Sequence, residues 1–236
     1  MDDTNGPTGH ELVQNIVGDA SDLLTDRRSF MSSAAKLGVG GALLSFAGSG
    51  GAAAEDHAGE VSDVDILNYA LTLEELEAHY YAEALETFDE LEDIENEGTV
   101  GGEVFQDLSV QHSTYQFLEQ IGMHEREHAD ALRATIEKVG GTPADIPEFT
   151  FPYQTPEEFV ALAHTIENVG VSAYAGAAPM IQNEEILKAA LSIHSVEARH
   201  AAYLGVLNQR APWSGAFDPA RSMEQVLAIA SQFIEN

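Results

Sequence analysis

Two twelve-residue stretches of this chain, 121–132 and 193–204, line up without a gap. Both keep Ile, Glu, His, Ala and Leu in one register, so Glu125 and His128 correspond to Glu197 and His200. Three residues apart on a helix, a carboxylate and an imidazole stand side by side on one face. Such a pair can ligate a metal ion, and two such helices facing each other can hold two. In a chain this rich in Glu, one Glu-x-x-His is expected by chance, so neither copy weighs much alone.

A second repeat adds the missing weight. Residues 70–84 align with 163–177, matching Ala70, Thr72, Glu74, Tyr81, Ala82 and Ala84 to Ala163, Thr165, Glu167, Tyr174, Ala175 and Ala177. The resulting order is Glu-x6-Tyr, Glu-x-x-His, Glu-x6-Tyr, Glu-x-x-His, which an internal duplication of a helix pair explains. Glu77 lies one turn beyond Glu74, but its counterpart is Gly170. The repeat therefore selects Glu74 as a ligand and leaves Glu77 as a possible extra one. The first copy is longer between its two motifs, and an insertion at about 88–110 accounts for the difference.

Apolar residues recur at helical spacing from Ile66 to Phe88, with Ser62, Asp63 and Asp65 as a cap and first turn. A second helix is expected from about Phe105 to Val139, stopped by Gly140-Gly141-Thr142-Pro143. Residues 145–155, with Phe149, Phe151 and Tyr153, form an extended crossover whose aromatics pack on the helices. Thr155-Pro156-Glu157-Glu158 opens a third helix running to about Ala178. The fourth spans about Glu184 to Asn208, and a Ser222–Gln225 capping box opens a fifth that continues through Ile234. No alternating run suggests a strand, so the class is all-α. The single Trp213, beside Pro212, is expected to anchor a loop.

Two antiparallel hairpins related by duplication bring Glu74, Glu125, His128, Glu167, Glu197 and His200 into one bundle core. Four carboxylates and two imidazoles suit iron or manganese better than zinc. Two divalent ions would balance four carboxylates, which makes their burial feasible. On this reading Glu125 and Glu197 bridge, while Glu74, Glu167, His128 and His200 are terminal. Tyr81 and Tyr174, two turns beyond Glu74 and Glu167, either hydrogen-bond ligand carboxylates across the bundle or simply pack in it. His124, His164 and His194 read as core or surface histidines rather than ligands, and His79 and His112 as surface or structural.

Composition bounds the rest. Forty Asp and Glu against ten Lys and Arg give a net charge of −30. Such a surface repels nucleic-acid phosphates, so no nucleic-acid partner is expected. With only three Lys, the balance suits life at high salt. Cysteine is absent, which removes thiolate ligands and iron–sulfur clusters. Residues 1–54 contain Asp26-Arg27-Arg28-Ser29-Phe30-Met31, a small-residue apolar run and Ala52-Ala53-Ala54. This segment resembles a twin-arginine export signal, which implies an extracellular or cell-surface location. A membrane anchor is expected only if that signal is left uncleaved.

The order of the ligand motifs resembles the ferritin-like superfamily. Ile66–Ala78, His124–Ala129 and Glu167–Tyr174, with the tail from Phe217 to Ile234, resemble more closely the ferritin-like domain family that includes desiccation-related proteins. That resemblance covers about residues 61–235, and the domain is expected over 61–236. It implies a ferritin-like four-helix bundle with a long crossover and an added C-terminal helix. All six metal positions are filled, implying two iron or manganese ions and oxygen, peroxide or ferrous iron as the small-molecule partner. The function expected is that of an exported oxidoreductase. A non-catalytic stress or desiccation-related protein on the same bundle is the alternative, and iron storage in a shell is a third reading.

Overall fold

The computed structural model describes residues 61–88 and 114–235. The twin-arginine segment, residues 89–110 of the insertion and His112 lie outside the described residues. The helices are α1 (Asp63–Thr87), α2 (Thr114–Lys138), α3 (Pro156–Ala177), α4 (Glu184–Leu207) and α5 (Met223–Ala230). Short 3₁₀ turns follow α3 at Ala178–Met180 and α5 at Ser231–Phe233. Among the described residues there is no strand, and the protein is all-α.

Helix ends follow their local chemistry. At α1, Ser62 and Asp65 form a reciprocal capping box, with the Asp65 amide donating to Ser62 Oγ at 3.2 Å. Thr155 caps α3 ahead of Pro156, Asn183 caps α4, and Ser222 with Gln225 boxes α5. At the end of α2, Gly140 takes φ +82°, the left-handed turn that a side chain would resist.

Contacts between numbered positions give the topology. Glu74 meets His128 while Asn68 reaches Thr142, so α2 runs antiparallel to α1. Tyr81 meets Glu167 and Tyr174 meets Glu74, so α3 is antiparallel to α1 as well. Consequently α2 and α3 point the same way, and their connection must travel the length of the bundle. At 1.5 Å per residue the 22-residue α3 is about 33 Å long, which segment 145–155 matches at about 36 Å when extended. Phe151 and Tyr153 of this crossover pack edge-on against Tyr80, whose hydroxyl donates to the Phe159 carbonyl at 2.6 Å.

Two expectations from the sequence need correction. The fifth helix ends at Ala230, and Ile234 instead pairs in an isolated bridge with Phe149 of the crossover. There Thr150 donates its amide to the Phe233 carbonyl at 2.8 Å, so tertiary pairing outcompetes another helical turn. Trp213 is not buried as an anchor would be: 70% of it is exposed.

Candidate metal centre

Helices α1 and α3 each present a glutamate, and α2 and α4 each present a glutamate and a histidine, to one point in the bundle. All six residues expected from the repeats meet there. They form two overlapping groups: Glu74, Glu125, His128 and Glu197, and Glu125, Glu167, Glu197 and His200. Glu125 and Glu197 belong to both. Glu125 turns Oε2 to His128 at 3.3 Å and Oε1 to His200 at 2.9 Å, so its carboxylate spans the two groups. Glu125, Glu167 and Glu197 are wholly buried, and Glu74 and His200 nearly so.

The spacing of donor atoms fits metal ligation. His128 Nδ1 stands 3.1 Å from Glu74 Oε2 and 3.1 Å from Glu197 Oε1. His200 Nδ1 stands 3.3 Å from Glu167 Oε2. Two atoms about 2.1 Å from one ion and at right angles around it are about 3.0 Å apart. Moreover, His200 Nδ1, Glu125 Oε1, Glu167 Oε2 and both Glu197 oxygens are buried without a properly aligned hydrogen bond. These atoms converge on a shared point rather than on one another. Orphaned buried polar atoms cost free energy, and a cation bound among them relieves that cost.

Electrostatics says the same of the metal-free protein. Burial raises Glu74 to about 7, against the opposing pull of His128. Burial and the neighbouring carboxylates also raise Glu77, Glu167 and Glu197. Burial opposes charge on the imidazoles, yet contact with Glu125, Glu197 and Glu74 lifts His128 to about 12. Glu125 and Glu167 likewise lift His200 to about 10. Glu125 alone moves down: burial pushes it up, but His128 and His200 outweigh that and hold it at about 2. Without a cation the cluster is a store of protons, as buried like charges require.

The tyrosines hydrogen-bond crosswise. Tyr81 of α1 donates to Glu167 Oε1 of α3 at 2.6 Å, and Tyr174 of α3 donates to Glu74 Oε1 of α1 at 2.5 Å. Each hydroxyl occupies one carboxylate oxygen and turns the other toward an imidazole, since Oε2 of each glutamate faces His200 or His128. Tyr81→Phe and Tyr174→Phe are each expected to weaken metal binding about 10-fold or more, as loss of such orienting partners does. Competitive chelator titration checks this, and affinity unchanged in both variants would count against the orienting role.

Glu77 is buried beside the cluster but belongs to neither ligand group. Its place follows from the broken repeat. A side chain at Gly170 would begin 3.1 Å from Glu77 Oε1 and 3.4 Å from Glu197 Oε2, so the missing side chain makes room for Glu77.

His124 has a part that sequence reasoning assigned to an ordinary histidine. Its Nδ1 lies 3.0 Å from His200 Nε2, and the rings stack at 5.2 Å. His200 thus faces buried carboxylates at Nδ1 and His124 at Nε2. The available signal was its position one turn before His128 on the same face. His79 is exposed and bonds its own helix at Glu75, while His164 and His194 join neither group.

A search of curated proteins finds none that matches. Residues 62–210 match the ferritin-like domain. With more than half its length matched, and a buried glutamate–histidine cluster inside a helical bundle, this chain belongs to the ferritin-like domain family.

Proposed function

We propose that the cluster holds two iron or manganese ions and that the protein is an oxidoreductase acting with oxygen, peroxide or ferrous iron. The carrying observation is that Glu125 and Glu197 are shared by two ligand groups, each with its own terminal glutamate and its own histidine. Glu74 and His128 would hold one ion, Glu167 and His200 the other, with Glu125 and Glu197 between them. Oxygen and nitrogen donors of this kind suit iron and manganese, and four carboxylates balance two divalent charges. Such ions supply one-electron chemistry when bound. The chain's own part is to orient the carboxylates through Tyr81 and Tyr174, to exclude water, and to give up the protons that the metal-free cluster stores. Of the six side chains His128 is the most exposed, at 13%. The twin-arginine pattern supports export to the cell surface or beyond.

Elemental analysis tests the site. About two equivalents of iron or manganese are expected in the protein, and none in the Glu125→Ala, Glu197→Ala double variant, which removes both shared carboxylates. No bound metal in the parent protein after supplementation, with its fold intact, would sink the proposal. The near-complete burial of the ligands favours a second reading, a closed structural metal site in a stress- or desiccation-related protein. Turnover of peroxide or ferrous iron, lost in the double variant, separates the first reading from the second.

A further inference from the structure

A second site lies on the flank of the bundle. Between α3, α4 and the loop from Asn208 to Ser222 is a cavity of about 480 Å³, within the roughly 300–1,000 Å³ range of small-molecule sites. We propose that it binds a small organic anion, with the charge held by Arg210 and Arg221 and an apolar, planar body laid against Trp213 and Phe217.

Charge is the first reason. In a chain with 40 acidic residues and ten Lys and Arg, two of the ten line this one cavity. Asp218 is its one carboxylate, and that group accepts a hydrogen bond from Ser214 Oγ at 2.7 Å. Against the field of so acidic a protein, a concave site lined by two arginines favours an anion.

Construction is the second reason. Arg221 is only 7% exposed, and its Nη1 donates to Ser172 Oγ at 2.6 Å, which fixes the side chain against α3. The Arg221 amide donates to the Ser172 carbonyl at 3.0 Å, and the Arg210 amide donates to the Gly205 carbonyl at 2.8 Å. Both ends of the loop are therefore tied to the bundle, and the cavity is a preformed space rather than a gap under a loose segment. Burial, assisted by the charge of Arg210, lowers His164.

The third reason is the aromatic rim. Trp213 is 70% and Phe217 92% exposed, although both line the cavity. Large aromatic faces held out in water beside a cationic pocket are complementary to a ligand that is itself part ring and part anion.

Trp213 is the chain's single tryptophan, so its emission reports on this loop alone. Titration of the full chain with phenyl phosphate is expected to change that emission saturably. Benzyl alcohol, which keeps the ring without the charge, is expected to bind at least about tenfold more weakly. Arg210→Gln, at an exposed position, is expected to weaken phenyl phosphate binding at least about tenfold with metal content unchanged. Arg221→Gln should do the same, and if that variant fails to fold, Arg210→Gln decides alone. The proposal is overturned by no saturable response in the parent chain, by equal binding of benzyl alcohol, or by full affinity in Arg210→Gln.

Discussion

Stripped of metal, the protein is expected to be most stable near pH 5 and to lose stability as the pH rises toward 8. Glu74 has a folded pKa of about 7 against an ordinary value of 4.5. Its contribution is complete below 4.5 and lost as pH rises through 7, because the folded state must either keep the proton or bury a charge. One proton per pH unit is worth about 1.4 kcal/mol, so Glu74 alone accounts for about 3 kcal/mol over that window. Glu77, Glu167 and Glu197 are raised and act in the same direction. So do His128 and His200, whose contributions are complete below 6.5 and decline as pH rises toward about 12 and about 10. These groups share protons, so their contributions do not add. Glu125 works the other way: its folded value of about 2 gives stability that is present above 4.5 and lost as the pH falls. The optimum lies where the two trends cross.

Thermal unfolding of chelator-treated protein between pH 4 and 8, in molar salt, measures this. Salt matters to the design, since it screens repulsion among the surface acids and leaves the buried cluster nearly untouched. Adding manganese or ferrous iron at pH 8 should recover the loss, because the cation replaces the protons. A metal-free protein whose stability is flat or rises from pH 5 to 8 would show that the carboxylates are not buried as described.

The second large effect concerns a glycine outside the buried glutamate–histidine cluster. Gly176→Ala is expected to destabilise the protein by about 3 kcal/mol, lowering the melting temperature by about 10 °C. In an isolated helix the same change is stabilising by about 1 kcal/mol, since Gly is a poor helix former. Here a Cβ at Gly176 would sit 1.8 Å from the Arg221 carbonyl oxygen, and backbone cannot swing aside as a side-chain tip can. Relieving the overlap must push residue 221 off α3, breaking the Arg221 amide bond to Ser172 and the guanidinium bond to Ser172 Oγ. The clash therefore outweighs the helical gain. Urea unfolding of this variant checks the sign, and a stabilised variant would mean that the C-terminal segment does not cross α3 here.

The six cluster residues were legible because a carboxylate and an imidazole that share a helix face stand at fixed spacing, and the repeat shows that spacing twice. Glu74, Glu125, His128, Glu167, Glu197 and His200 could be picked from register alone. The Glu77–Gly170 mismatch showed where the halves differ. Helix caps at Ser62, Thr155 and Ser222 were equally plain, since capping is decided within four residues. The long crossover followed from segment 145–155, whose prolines and length suit an extended run along the bundle.

Other features depend on parts of the chain far apart in sequence, and no local pattern announces them. Tyr81 and Tyr174 could have been packing residues; the antiparallel approach of α1 and α3 makes each the partner of the other helix's glutamate. His124 looked ordinary until α4 brought His200 against it. Gly176 reads as a weak point in a helix until the Arg221 backbone crosses it, and the fifth helix stops early because the crossover offers Ile234 a partner. By itself the sequence determined an all-α chain and the six side chains of its buried cluster, because both are written in short-range periodicity and residue type. Only the tertiary structure decided how those side chains are oriented, where the chain has no room for a methyl group, and that two arginines and two exposed aromatics share one cavity. Those outcomes depend on which distant surfaces meet, and packing settles that.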